Sequence, residues 1–167
     1  ACRDCREGRS NLCATAFDHR VWGTWAEYVR VPARIVSGGL FRVPESLPAG
    51  AAALLDPVAS VLRGLGRMGD VRGRTALVLG AGPIALLFTI LLRRRGAERV
   101  VVAARNAARH AAHAAEGAET IASGERLLER VREITAGRGA DLVVEATGDR
   151  ALAEQAGVEG RGLGRER

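Results

Sequence analysis

The spacing of hydrophobic residues changes near residue 75 of this 167-residue chain. Before that point, apolar and polar residues alternate through residues 25–31, which predicts a half-buried strand. Residues 35–36 and 40–43 are two further short strand candidates. We therefore expect the first part of the chain to consist mostly of strands and loops.

A region with helical spacing follows at residues 49–65. Because the residue before a proline avoids the α region, we expect one helix to end at Asp56 and a second to begin at Pro57. Asp56 would then be the N-cap of the second helix. Four glycines mark the predicted exit from that helix: Gly64, Gly66, Gly69 and Gly73.

From Thr75 onward, short apolar runs alternate with amphipathic segments. Strands are predicted at 75–79, 100–102, 119–121 and 142–144, and helices at 83–95, 107–116 and 125–136. A last short helix at 151–157 precedes a tail with no apolar run. This order predicts an α/β fold with a doubly wound parallel sheet and right-handed crossovers. As a partial Rossmann sheet it would have the strand order 3-2-1-4.

Composition and charge narrow the function classes. The net charge is +6 and every basic side chain is arginine, but these arginines are scattered rather than gathered in a stripe, which disfavours a nucleic-acid-binding role. Residues 75–92 are uncharged, yet Gly80, Gly82 and Pro83 interrupt them, so a strand, a turn and a buried helix are expected instead of a membrane span. The chain opens on polar residues without a signal peptide, which favours the cytoplasm.

The turn between the first strand and helix of this sheet fits the G-x-G-x-x-G/A pattern. Gly80 permits the tight turn, Gly82 permits close approach of a pyrophosphate, and Pro83 and Ile84 open the helix whose free N–H groups would face that pyrophosphate. A plain strand-to-helix turn that needs small residues is the alternative. The β-α-β context favours a dinucleotide site in a partial Rossmann domain.

The choice of cofactor depends on the end of the second strand, where an NAD site usually carries an acidic residue. That position falls near Ala104, which is not acidic, and Arg105 and Arg109 follow it. Because a guanidinium pairs with a 2′-phosphate, we expect NADP(H) rather than NAD(H). The alternative is that Arg105 reflects only the arginine-rich composition.

All three cysteines lie within the first thirteen residues, at the spacing C-x2-C-x7-C. Clustered cysteines indicate metal ligands in a reducing compartment rather than a disulfide framework. Zinc prefers four ligands, however, and Cys2, Cys5 and Cys13 supply three, so three free thiols remain an alternative. His19, His110 and His113 do not match a ligand position, and the last two are expected to be solvated.

Five segments in series resemble the zinc-containing medium-chain alcohol and polyol dehydrogenases, in the branch of the threonine and sorbitol dehydrogenases. Residues 2–13 are similar to the structural-zinc loop of that family, C-x2-C-x2-C-x7-C, and its first cysteine would lie two residues before this chain begins. The other four segments resemble the G-x-[FW]-A-E-Y stretch, the A-A-L-x-E-P-L-A segment, the cofactor loop and the GRGADxVxEATG strand: residues 23–33, 52–62, 80–84 and 137–148.

The resemblance implies a domain organisation. Residues 1–45 would be a structural-zinc loop and a remnant of a GroES-like β lobe, and residues 46–157 would be an incomplete Rossmann domain. Residues 158–167 would be a disordered tail. The chain would then be truncated at both ends, and it begins without methionine, as a fragment or processed chain does.

The resemblance also implies an activity: zinc-dependent hydride transfer between an alcohol or polyol carbon and NAD(P). Asp56 occupies the place of an acidic residue at the catalytic zinc, as a ligand or near neighbour, although an ordinary helix cap would explain it equally well. Full-length relatives are homo-oligomers, whereas the state of this chain stays open. We expect the chain alone to be inactive. The rival interpretations are a non-catalytic NADP(H)-binding module and a zinc-free quinone reductase of the same superfamily.

Overall fold

The computed structural model describes residues 2–16, 18 and 20–159. Contacts between Cα atoms divide the chain into two compact units, Ala1–Leu47 and Pro48–Arg167. Of the tail predicted for residues 158–167, residues 160–167 lie outside the described part, and the first two residues belong to a helix instead. His19 also lies outside the described residues.

The first unit contains helix α1 (Arg3–Arg6), a 3₁₀ turn (Ser10–Leu12) and helix α2 (Ala33–Gly39). None of its described residues is in a strand, so the strands predicted at 25–31, 35–36 and 40–43 are wrong. Residues 35–36 lie inside α2, which begins directly after Pro32. Trp25 and Tyr28 are almost fully exposed rather than half-buried. An alternating pattern becomes a strand only where a neighbouring strand completes its hydrogen bonds, and none does so here.

The second unit is an α/β domain. Its helices are α3 (Ala49–Ala52), α4 (Leu55–Arg67), α5 (Pro83–Arg94), α6 (His110–Ala115), α7 (Leu127–Ile134) and α8 (Arg150–Glu159). Its strands are β1 (Thr75–Leu79), β2 (Arg99–Ala104), β3 (Glu119–Ala122) and β4 (Leu142–Glu145). The strands are parallel and their order is β3-β2-β1-β4, which confirms the predicted topology.

Hydrophobic side chains fill both faces of this sheet. In β1, Ala76 and Val78 face a cluster that includes Val61 of α4 and Leu92 of α5. Leu77 and Leu79, which alternate with them, face a second cluster that includes Leu127 and Val131 of α7. Because both faces are covered, every residue of β1 is buried, and this explains its unbroken apolar sequence.

Helix α4 differs from its prediction at both ends. It begins two residues earlier than expected: Leu54 is the N-cap, and Asp56 and Pro57 lie within the first turn. Proline is tolerated there because the first N–H groups of a helix have no intrahelical partner. The helix also continues through Gly64 and Gly66. Gly64 lies close to α5, because a Cβ atom there would be 3.1 Å from Cζ of Phe88.

The uncharged stretch of residues 75–92 forms strand β1, a turn and most of α5, as predicted. Within the part of the chain that the structure describes, no helix has the length and apolar character needed to cross a bilayer. The predicted cap of the next helical segment is also confirmed: the Asn106 side chain accepts a hydrogen bond from the Ala108 amide at 3.0 Å.

Candidate functional site

The Gly80 turn connects β1 to α5 under two constraints that only glycine satisfies. Gly80 has φ +106°, outside the range that L side chains readily adopt. A Cβ atom at this position would also lie 3.0 Å from Cγ2 of Thr147 and 3.1 Å from the Ala146 carbonyl oxygen. The turn is therefore packed tightly against the segment that follows β4.

Gly82 is different, because nothing in the protein requires a glycine there. It is the N-cap of α5 with φ −82°, and a Cβ atom on it would meet no atom within 4 Å. Ala85, in the first turn of the helix, is fully buried against the sheet. Two residues of the motif therefore have different roles. Ala85 allows α5 to pack closely on the sheet, and Gly82 leaves open space beside the first amides of the helix.

A cleft of about 600 Å³ opens at this turn. Its lining comes from the segments that follow all four strands, so it lies at the carboxyl edge of the sheet, where open α/β folds bind their ligands. The lining residues are Gly80, Ala81, Gly82, Ala103, Ala104, Arg105, Asn106, Arg109, Ser123, Gly124, Ala146, Thr147, Asp149, Ala151 and Leu152.

The segment that follows β2 forms a basic wall of the cleft. Arg105 and Arg109 are exposed and line the same cleft as the glycine turn, and Ala104, which ends the strand, is buried. Among the described residues, neither guanidinium forms an ion pair with a carboxylate. These two cations are therefore available to an anionic ligand in the cleft.

The wall that follows β4 was not identified from the sequence. Glu145 accepts hydrogen bonds from the Gly148 amide at 3.0 Å and from both the amide and the hydroxyl of Thr147. Burial alone would raise the pKa of Glu145, but these hydrogen bonds outweigh it and hold that pKa below its ordinary value. The available signal was an acidic residue at the end of an apolar parallel strand, at the edge where ligands bind.

The three cysteines come together in the first unit. Their Sγ atoms all lie within 4.8 Å of one another, and those of Cys2 and Cys5 are 3.7 Å apart. Four thiolates around zinc would be separated by about 3.8 Å, because the Zn–S distance is about 2.3 Å and the geometry is tetrahedral. The cluster therefore fits three corners of such a site.

Local contacts explain how the cysteine loop closes. Cys2 and Cys5 lie one turn apart at the start of α1, and Arg9 folds back to pair with Asp4 at 2.8 Å. The pKa of Cys2 is lowered to about 7, first by a hydrogen bond from the Cys5 amide. The pKa of Cys5 is raised, chiefly by its hydrogen bond with the Cys13 side chain. One thiol is thus set up to ionise more readily than its neighbour.

Three other residues lie in positions that differ from the predictions. Asp56 is exposed in the first turn of α4, where its charge suits the helix dipole, but it is not the N-cap. His113 was expected to be solvated and is instead buried, with 1% of its surface exposed. Its ring lies against Thr89 of α5, so the prediction for this residue is wrong. His110 is half-buried, and its Nε2 atom lies 3.3 Å from the Ala104 carbonyl oxygen.

Comparison with known proteins gives a consistent picture. The profile of the family described as zinc-binding dehydrogenase matches residues 83–157. A D-altritol 5-dehydrogenase from Agrobacterium fabrum is 36% identical over 159 residues, which is 92% of this chain and 44% of that protein. An L-threonine 3-dehydrogenase from Pectobacterium carotovorum is 32% identical over 151 residues, covering 88% of this chain and 43% of the relative.

Solved structures agree with these relatives. The alcohol dehydrogenase TADH from Thermus sp. ATN1 superposes with a TM-score of 0.84 at 28% identity, covering 96% of this chain and 49% of that one. This chain spans less than half the length of the two curated relatives described above. The strand order, the glycine turn and these likenesses lead to one conclusion: the chain belongs to the family of zinc-containing medium-chain dehydrogenases.

Proposed function

We propose that this chain supplies the nicotinamide-dinucleotide site and a structural zinc site of an oxidoreductase that moves a hydride between an alcohol or polyol carbon and NAD(P). The observation that carries the proposal is the open space at Gly82, beside the first amides of α5 and within the 600 Å³ cleft. In that position the Gly82 backbone can approach a diphosphate, and the start of α5 offers free N–H donors and a positive dipole.

The two arginines after β2 favour NADP(H) within this site. Arg105 and Arg109 line the cleft and have no carboxylate partner among the described residues. Ala104 has no side-chain carboxylate to accept a hydrogen bond from a ribose hydroxyl. Guanidinium groups would pair with a 2′-phosphate in a charge-assisted, bidentate manner. NAD(H) remains the alternative, because the glycine turn serves the diphosphate that both cofactors share.

The cysteine cluster is the proposed zinc site. Cys2, Cys5 and Cys13 offer soft sulfur ligands at separations that suit tetrahedral coordination, and reduced thiols so close together fit a reducing compartment such as the cytoplasm. Completed by a fourth ligand, a cysteine site of this kind would stabilise its loop and take no part in the reaction. The zinc-free quinone reductases of the superfamily are disfavoured by this cluster.

Asp56 is the proposed contribution of this chain to the catalytic centre. Its carboxylate is exposed in the first turn of α4, so it is accessible as a metal ligand or as a hydrogen-bond acceptor beside one. Zinc bound at a catalytic site polarises the alcohol oxygen and favours its deprotonation. The curated relatives are named for a polyol and for a hydroxy amino acid, which supports a small hydroxylated substrate.

Titration of the purified chain with NADPH and with NADH, followed by cofactor fluorescence, tests the proposal. We expect saturable binding, tighter for NADPH. Gly82→Ala should weaken both cofactors strongly without loss of stability, because its new methyl group meets only the ligand. Gly66→Ala is the matched control, since it adds the same methyl group in open space on α4. Absence of binding to the unaltered chain would refute the proposal.

Turnover separates the enzyme from its main alternative. Assays with D-altritol, L-threonine and simple alcohols, after reconstitution with zinc, are expected to show no activity for this chain alone. Binding of NADP(H) by the chain, with activity appearing only in a longer polypeptide from the same gene, would support the dehydrogenase. Binding without activity in both proteins would favour a non-catalytic NADP(H)-binding module.

A further inference from the structure

The acidic residue that ends β4 folds over the segment that follows the strand. Oε1 of Glu145 accepts hydrogen bonds from the Thr147 hydroxyl, from the Thr147 amide and from the Gly148 amide, the last at 3.0 Å. The Gly148 amide also lies 3.2 Å from Oε2. Two consecutive residues thus direct three donors at one carboxylate, although Glu145 itself is not among the residues that line the cleft.

The hydroxyl of Thr147 is held from two sides. It donates to Glu145, and its Oγ1 atom accepts from the Asp149 amide at 2.9 Å. Because Oγ1 and Cγ2 are bonded to the same Cβ atom, a hydroxyl held in this place restricts the side chain to one χ1 rotamer. That rotamer directs Cγ2 at the glycine turn, 3.0 Å from the place of a Cβ atom on Gly80. Glu145 therefore determines which group of Thr147 faces Gly80.

Hydrogen bonds continue along the wall of the cleft that follows β4. The Asp149 carboxylate accepts from the Leu152 amide at 3.2 Å in the first turn of α8, and Leu152 packs against the second hydrophobic cluster. Thr147, Asp149 and Leu152 all line the cleft. This wall is thus held at one end by Glu145 and at the other by the packing of α8.

Electrostatic attraction does not explain a carboxylate in this place. A dinucleotide is anionic, so a negative charge close to its cleft would repel it. The three donors offset the charge of Glu145 within the protein. A favourable contribution of Glu145 to binding must therefore come from the geometry that it imposes.

We propose that Glu145 is a positioning residue for the cofactor: through Thr147 it holds the wall after β4 against Gly80, so that the cleft has its binding shape before the ligand enters. The inference rests on the proposed dinucleotide site. Removal of Glu145 then weakens binding, although it also removes a repulsive charge. The sign of this effect separates positioning from a purely electrostatic role, in which the loss of Glu145 would tighten binding.

Four variants separate these roles. Glu145→Ala removes every hydrogen bond to the carboxylate, whereas Glu145→Gln removes the charge and keeps one oxygen acceptor. Thr147→Val removes the hydroxyl and keeps the branched shape of the side chain. Glu129→Ala is the matched control, because Glu129 is a carboxylate on α7 that accepts hydrogen bonds from Arg126 at 2.7 and 2.9 Å and does not line the cleft.

NADPH binding to the whole chain is the first measurement. It should weaken about three- to tenfold in Glu145→Ala, as the loss of one hydrogen bond predicts. Glu145→Gln should retain most of the affinity, and Glu129→Ala should bind as the unaltered chain does. In a chain that already carries Thr147→Val, Glu145→Ala should weaken binding less, because both substitutions act on the same contact.

Amide hydrogen exchange of the ligand-free protein is the second measurement. Exchange at residues 80–82 should become faster in Glu145→Ala, because Thr147 no longer holds the turn, and should be unchanged in Glu129→Ala. If the unaltered chain binds no NADPH, the proposed function fails, and exchange at residues 80–82 alone decides whether Glu145 holds the turn.

Three results in a chain that binds NADPH would overturn the positioning role. The first is binding by Glu145→Ala that is unchanged or tighter. The second is an equal loss in Glu145→Ala and Glu129→Ala, which would report stability alone. The third is additive losses in Glu145→Ala and Thr147→Val, which would show that Glu145 does not act through Thr147.

Discussion

Thr147 touches the glycine turn so closely that its Cγ2 atom would lie 3.0 Å from a Cβ atom at Gly80. The two residues follow β4 and β1, which are neighbours in the sheet. Their contact joins two walls of the candidate cofactor cleft at one corner. Glu145 strengthens this corner, because its carboxylate binds the Thr147 and Gly148 amides.

Gly80→Ala should therefore destabilise the second unit. The new methyl group would meet Thr147 and Ala146, and φ +106° strains any residue with a Cβ atom. We expect a loss of about 1–3 kcal/mol in the free energy of unfolding, measured by urea denaturation. The control Gly66→Ala should have the opposite sign, since alanine suits a helix interior better than glycine. Equal effects of the two substitutions would contradict the predicted contact.

Removing the arginines of the β2 wall should change cofactor preference. Arg109→Ala and Arg105→Ala are each expected to weaken NADPH binding about tenfold and to leave NADH binding unchanged, because only NADPH carries the 2′-phosphate. Arg94→Ala is the control. It removes the same charge at the C-terminal end of α5, away from the cleft at the N-terminal end of that helix. Parallel loss of both cofactors would place the arginines at the shared diphosphate and would argue against NADP(H) specificity.

The cysteine loop should bind about one zinc ion per chain. Cys13→Ser is expected to abolish this metal content, measured by elemental mass spectrometry after dialysis, because it removes one of three clustered ligands. Ser10→Ala, in the 3₁₀ turn of the same loop, should keep the zinc. Retention of zinc by Cys13→Ser at the original level would show that this sulfur is not a ligand.

Stability should depend on pH through His113. Burial lowers its pKa in the folded chain below the ordinary value of about 6.5, so between those two values the unfolded chain binds a proton that the folded chain does not. The corresponding stability is present above pH 6.5 and is lost as pH falls through the lowered pKa. Thermal midpoints measured from pH 8 to pH 5 should fall less steeply in His113→Leu. An unchanged slope would indicate that His113 does not set it.

The sheet could be predicted from the sequence because its signals are local. The apolar run of Thr75–Leu79 indicates burial on both faces, the glycines mark where neighbouring elements end, and the Asn106 cap marks where a helical segment begins. The strand order 3-2-1-4 followed from the assignment of a partial Rossmann domain, which has this order. The same locality gave the turn at Gly80, since its motif lies within six consecutive residues.

The predictions that were wrong concern features that depend on distant parts of the chain. Residues 25–31 alternate as a strand does, but a strand exists only with a partner, which a local pattern does not specify. The segment around His113 is almost all alanine, so its apolar residues do not indicate which face packs on α5. The contact of Thr147 with Gly80 depends on the register of β1 and β4, residues more than sixty positions apart.

The side chains that could contact a ligand in the cleft are separate from those that form the two hydrophobic clusters, and this separation has an evolutionary consequence. Side chains that could select a ligand, such as Arg105, Arg109 and Thr147, are exposed on segments beyond the strand ends and belong to neither cluster. Mutation can therefore explore new cofactor preferences at the rim while the interior remains intact. Redesign of this protein from NADP(H) toward NAD(H) should accordingly need changes among the exposed residues at the rim of the cleft and none in the hydrophobic clusters.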